Sequence, residues 1–133
     1  MNNIYRINRA NLIQLMRHAK SVGAQDGREI CGLIIGNGLY INLIELKNKT
    51  RRGGGFSFYS SEVKDIVKAS RLLNIEILGT FHSHPIYMAK PGQDDIGGAV
   101  EDSLMLIIDC NSNKAILWRI KNGKSYKIRY LKY

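Results

Sequence analysis

Ile75-Glu76-Ile77-Leu78-Gly79-Thr80-Phe81-His82-Ser83-His84-Pro85 is the stretch from which the rest of the chain is best read. Residues 75–81 are apolar and rich in β-formers, and they read as a buried strand. An irregular stretch over 82–91 and a short helix over 93–100 are expected next. In an extended chain residues i and i+2 point to the same side, so His82 and His84 can bring both imidazoles onto one metal ion. Pro85, which has no N–H to donate, then stops the strand. A third ligand has to come from elsewhere, and Asp94 and Asp95 lie ten and eleven residues past His84 at the start of the next helix. Two imidazoles and a carboxylate suit zinc and leave a fourth position for water, the arrangement of a catalytic centre rather than a structural one.

Outward from this stretch the chain alternates helices and hairpins. Asn8 can cap a helix over 8–20, with Leu12, Leu15, Met16 and Ala19 on one face, and the glycine-containing polar segment 21–27 ends it. Residues 31–35, a Gly36-Asn37-Gly38 turn and residues 39–46 read as a hairpin. The basic, glycine-rich segment 47–55 reads as a mobile surface loop. Ser60 or Ser61 can open a second helix in which Val63, Ile66 and Val67 form the buried stripe and Leu72-Leu73 close it. Residues 103–109 form the next strand. Residues 115–120 and 125–130 flank Asn122-Gly123, the strongest short hairpin signal present. Helices mixed with hairpins predict an α/β sandwich with a mixed sheet, not a doubly wound parallel one.

The 133 residues suffice for one domain, taken as 1–133, whose core buries roughly two thirds of the unfolded surface. With 8% aromatic and 23% charged residues the composition is globular, which excludes a disordered tail or a coiled-coil rod. No apolar run approaches the ~20 residues of a membrane helix, and no membrane partner is expected. The start lacks the apolar segment of a secretory signal, so a reducing cytoplasmic setting is expected, with Cys31 and Cys110 as buried thiols. The formal charge is +9, and residues 110–133 carry seven basic residues and no acidic one. Such a gradient attracts an acidic partner. Tyr126, Tyr130 and Tyr133 interleave with these bases, but a half-buried strand explains that spacing more simply than a nucleic-acid platform does.

A centre of this kind needs a proton acceptor that is not itself a ligand. Glu29 is the best candidate, because it stands at the entrance of the apolar run 30–35 as a charge at the rim of a buried surface.

Taken together, Glu29 with Cys31-Gly32-Leu33 and Gly36, then Leu78-Gly79-Thr80-Phe81-His82-Ser83-His84-Pro85, then Pro91 and Asp95, resemble the JAMM (MPN+) metalloprotease family over residues 8–109. The length resembles its small single-domain prokaryotic-type members. The likeness implies a JAB/MPN fold, a cytidine-deaminase-like mixed β-sheet flanked by helices. It implies one zinc per chain on His82, His84 and Asp95, with Glu29 as the acid/base. It implies hydrolysis of the amide bond after the C-terminal glycine of a ubiquitin-like or sulfur-carrier protein ending in Gly-Gly. Lys49, Arg51 and Arg52 would meet that carrier's acidic surface.

One position departs from the family pattern: Gly92 stands where relatives carry a serine whose hydroxyl helps hold the attacking water and the oxyanion. Glycine still serves as an N-cap. Loss of one oxyanion donor typically costs about 10²–10³ in rate, which raises the alternative of a weak or inactive module that binds a ubiquitin-like partner without cutting it. A zinc nucleobase deaminase, with a related sheet, is excluded because the chain has no Pro-Cys-x-x-Cys pair.

Overall fold

The computed structural model describes residues 4–50, 55–86 and 88–133. Its first strand, β1 (Tyr5–Ile7), leads into α1 (Arg9–Asp26), whose Asn8 cap accepts from Asn11 N at 2.9 Å. Helix α1 runs past the expected end at residue 20 because Val22 extends the stripe of Leu12, Leu15 and Ala19 onto the core. It stops where Gly27 takes φ +63° and donates to Gly23 O at 2.9 Å.

Strands β2 (Cys31–Asn37) and β3 (Tyr40–Leu46) form the expected hairpin, turning at Gly38-Leu39, a little later than the sequence suggests. Gly38 supplies the positive φ of that turn. Next comes α2 (Ser60–Leu73), with Tyr59 rather than a serine at its N-cap. Its Val63, Ile66 and Val67 are half-buried, whereas Leu72 and Leu73 are 80% and 68% exposed. The expected closing pair therefore lies beyond the part of α2 that reaches the sheet. Strand β4 (Glu76–His84) continues through both histidines instead of ending at Phe81, because Ser83 and His84 pair with β5 and Cys110 N donates to His84 O at 3.2 Å. Helix α3 (Gln93–Gly98) is followed by β5 (Ser103–Asp109), β6 (Lys114–Lys121), β7 (Lys124–Ile128) and β8 (Tyr130–Lys132). Asn122 and Gly123 both take positive φ at the β6–β7 turn.

Among the described residues eight strands form one mixed sheet in the order β7-β6-β5-β4-β2-β3-β1-β8. Strands β7 and β8 end that order on opposite sides, yet only Arg129 separates them in the chain. The sheet must therefore curl until its edges approach. Arg119 Nη2 donates to Tyr5 Oη at 3.2 Å and Tyr130 Oη to Ala115 O at 2.6 Å across the closure. Inside the curl, α1 packs on Ile7, Ile34, Ile41, Phe81, Leu106 and Leu117. On the outer face Met105, Ile107 and Ile120 are covered by Ala89, Ile96 and Ala99 from α3 and its flanks. Alternation along β4 puts Phe81 and Ser83 inward and His82 and His84 outward, beneath α3. Among the described residues no helix is long and apolar enough to cross a membrane.

Close strand approach depends on glycines, most tightly at Gly32 and Gly79. A Cβ at Gly32 would overlap Ile44 O and the Phe81 ring, and one at Gly79 would overlap the Leu104 backbone. Gly97 has nothing near it. Gly32→Ala and Gly79→Ala should each cost about 2–3 kcal/mol in denaturant unfolding, or prevent folding, while Gly97→Ala stays neutral or stabilises. Equal stability of all three would refute the packing described.

Candidate metal centre

The outward alternation of β4 makes both histidine rings converge. Nε2 of His82 and Nε2 of His84 are 3.0 Å apart, and both rings are buried. Helix α3 supplies the third group. Asp95 lies in its first turn and bends back over the strand, with Oδ1 3.3 Å from His82 Nε2 and Oδ2 3.4 Å from His84 Nε2. Asp94 is exposed and makes neither contact. Gly92 N donates to Asp95 Oδ2 at 2.9 Å, so half a capping box fixes the carboxylate.

These separations match those of tetrahedral zinc ligands, which lie about 3.3 Å apart when each is about 2.0–2.1 Å from the ion. The donor chemistry matches too. His84 Nδ1 lies 2.8 Å from Met88 O, which can only accept, so in the neutral ring Nε2 keeps its lone pair. An imidazole lone pair and a carboxylate thus face His82 Nε2 at the spacing of a shared ligand shell, and a cation or a proton must lie among them. Without a metal, protonation of His84 would fill that place. Burial opposes it, but hydrogen bonds to Asp95 and Met88 O raise the His84 pKa. Burial likewise opposes ionisation of Asp95, yet hydrogen bonds from His82 and His84 hold its carboxyl well below the usual carboxylate range.

Glu29 is 6% exposed, and its carboxylate lies with the two imidazoles in a group whose ligand atoms are all within 4.8 Å of one another. Its Oε2 accepts from Gly55 N at 2.8 Å, and its Oε1 is buried with no partner among the described residues. Two nested trios result, His82-His84-Asp95 and Glu29-His82-His84. In the first, each imidazole nitrogen lies 3.3–3.4 Å from one Asp95 oxygen, and in the second all ligand atoms lie within 4.8 Å of one another.

Sequence reasoning passed over three supporting residues. Ser83 grips the segment after Glu29 twice: its N donates to Ile30 O at 3.0 Å and its Oγ accepts from Ile30 N at 2.8 Å. Phe56 stacks on His82, with centroids 4.7 Å apart and planes at 27°. Asn48 Nδ2 donates to Glu29 O at 3.0 Å. Their only sequence signal is a polar or aromatic residue beside a motif. Lys49 is exposed, with Nζ 5.9 Å from the Tyr59 ring centre. Arg51 and Arg52 lie outside the described residues. Cys31 and Cys110 are buried free thiols. Burial, followed by Glu45 and Glu29, pushes the Cys31 pKa up to about 12, so it is no nucleophile at neutral pH.

A mixed sheet with a His-x-His strand end, a helix-borne aspartate and a buried glutamate defines a protein of the JAB/MPN class. Residues 9–121 match the family of prokaryotic homologs of the JAB domain, and the chain belongs to that family. Among curated proteins there is no sequence match. Among solved structures, the solution structure of a Desulfitobacterium hafniense protein is similar with a TM-score of 0.80 and 23% identity, over 98% of this chain and 93% of that one. A JAB1/MPN domain protein from Archaeoglobus fulgidus gives a TM-score of 0.64 at 19% identity, over 99% and 100% of the two chains. A structure described as JAMM, a metalloprotease-like zinc site in the proteasome and signalosome, gives 0.53 at 15% identity, over 98% of each chain. At these identities the likeness shows the fold.

The shared proton has a measurable consequence. A raised His84 pKa contributes stability that is whole below its ordinary value of 6.5 and is lost as pH climbs through the raised value. The lowered Asp95 pKa contributes above 3.8 and is lost on acidification. Chelator-treated protein should therefore melt at progressively lower temperature as pH rises above about 6.5, through the raised His84 pKa. Added zinc should reverse that slope, because metal and proton compete for the same atoms. A melting temperature insensitive to both would contradict the cluster.

Proposed function

We propose that this protein is a zinc-dependent peptidase or isopeptidase that hydrolyses the amide bond after the C-terminal glycine of a ubiquitin-like or sulfur-carrier protein. The observation that carries the reading is the set of three side chains, two imidazoles and one carboxylate, in contact at 3.0–3.4 Å with an unpartnered glutamate oxygen beside them. Family membership supports it.

In this reading His82, His84 and Asp95 hold one zinc ion per chain. When bound, zinc supplies a Lewis acid for the scissile carbonyl and makes water nucleophilic near neutral pH. Glu29 Oε1 takes a proton from the attacking water as its oxygen bonds to the glycyl carbon, and returns it to the departing amine as the C–N bond breaks. Burial around the histidines keeps bulk water from competing for these groups.

Two clefts meet at Asp95. One, of about 510 Å³, is mainly apolar and lined by Leu33, Phe56, Val63, Ile77 and Met105. It is the smaller of the two, and in this reading it takes the thin Gly-Gly tail. The other, of about 930 Å³, is bordered by Ile86, Met88 and Lys90 and has room for the leaving group. Lys49, with Arg51 and Arg52, gives the carrier's acidic surface a basic counterpart.

A second reading, a binding module with little or no activity, rests on Gly92. No hydroxyl is present there, and the Gly92 N–H is committed to Asp95 Oδ2, so this amide does not replace it. The backbone at 92 is extended, with φ −81° and ψ 174°, and a Cβ there would meet only Asp95 Oδ2, at an ordinary 3.7 Å. A serine fits.

The test uses a carrier fused through its Gly-Gly to a peptide and followed by mass spectrometry. Cleavage after the second glycine is expected, and a chelator should abolish it. Glu29→Gln should retain zinc and lose about 10³-fold in kcat, whereas His84→Ala and Asp95→Ala should lose the metal. Gly92→Ser should raise kcat about tenfold or more. An intact fusion with fully zinc-loaded wild type and Gly92→Ser protein would overturn the hydrolase reading, and binding without cleavage would establish the module.

A further inference from the structure

The loop between β3 and α2 does more than connect them. Asn48 is its hub. Its Nδ2 donates to Glu29 O at 3.0 Å and to Gly55 O at 3.2 Å, while its Oδ1 accepts from Thr50 N at 2.9 Å and Ser57 N at 3.2 Å. Lys49 N donates to Ser57 O at 2.9 Å, and Arg28 Nη2 donates to Asn48 O and Thr50 O at 3.1 and 3.2 Å. One amide side chain thus ties the outgoing and returning arms of the loop to each other and to the backbone of Glu29. The return arm then makes two contacts with the centre: Gly55 N reaches Glu29 Oε2 at 2.8 Å, and Phe56 stacks on His82. Gly55 has φ +93°, a conformation that side-chain-bearing residues rarely adopt, so its N–H is aimed by a backbone shape specific to glycine.

We infer that Asn48 is a positioning residue of the site: by holding Glu29 O and Gly55 O together it delivers the Gly55 N–H to Glu29 Oε2 and leaves Oε1 as the oxygen that exchanges protons. A carboxylate anchored at one oxygen cannot rotate its free oxygen out of reach. Without the clamp, both oxygens compete for the Gly55 amide and for solvent, and fewer molecules hold the productive geometry. The loop that lies next to the proposed carrier surface is therefore mechanically joined to the acid/base. This inference rests on the hydrolase reading for its kinetic consequence, but not for the clamp itself.

Two measurements on the full chain separate the clamp from the reading. Asn48→Ala removes all four side-chain bonds, and Asn48→Asp keeps the acceptor but loses the donor. Amide exchange of Gly55, followed by NMR, should accelerate at least about tenfold in both variants while the β4 and β5 amides keep their protection. Unchanged Gly55 exchange in both would overturn the inference, whatever the protein hydrolyses. In carrier cleavage, Asn48→Ala should lower kcat about 10–100-fold with KM and zinc content near wild type, the scale of loss when an orienting partner is removed. In a Glu29→Gln background the same substitution should bring no further loss, because it acts through Glu29. An equal loss in both backgrounds would show that Asn48 merely supports the fold. Wild-type protein that leaves the fusion intact would defeat the hydrolase reading, with the exchange result still deciding the clamp.

Discussion

Three groups rich in lone pairs face one another at the end of one strand, and such an arrangement is stable only with a proton or a cation among them. His82, His84 and Asp95 are held at 3.0–3.4 Å by covalent sequence spacing, by the alternation of β4 and by the first turn of α3. Burial opposes ionisation of Asp95, yet hydrogen bonds from His82 and His84 hold its carboxyl below the usual carboxylate range. In the proposed reading a divalent cation would meet the same demand.

The rest of the fold serves that constraint. The curled sheet buries β4 on its inner face through Phe81, so the outward histidines rest on a rigid floor. Ser83 points the other way and locks Ile30 beside the strand, which fixes the neighbouring Glu29 relative to the rings. Asn48 holds Glu29 from the loop side. Glu29 is thereby gripped on two sides, and its placement comes from hydrogen bonds to the backbone rather than from long side chains.

Much of this was legible in the sequence, for identifiable reasons. The pairing of His82 with His84, the stop at Pro85 and the Asn122-Gly123 turn are local, and period-two geometry or turn chemistry suffices to read them. Choosing Asp95 over Asp94 required the family likeness, since either carboxylate opens the helix; only the bend of α3 separates them. Strands β1 and β8 escaped notice because three residues carry no period, and they exist by pairing with each other and with β3. The extra turn of α1 and the exposure of Leu72 and Leu73 depend on where the sheet ends, which no local window contains. The parts played by Ser83 and Asn48 arise from contacts to residues 53 and 19 positions away, and polarity alone gives no hint of them.

The most direct examination of the central idea is X-ray absorption at the zinc edge on the purified, zinc-loaded protein. The account requires a first shell of nitrogen and oxygen only, at about 2.0–2.1 Å, with imidazole scattering from two rings. Sulfur at about 2.3 Å, which would implicate Cys31 or Cys110, or a shell without imidazole, would contradict it.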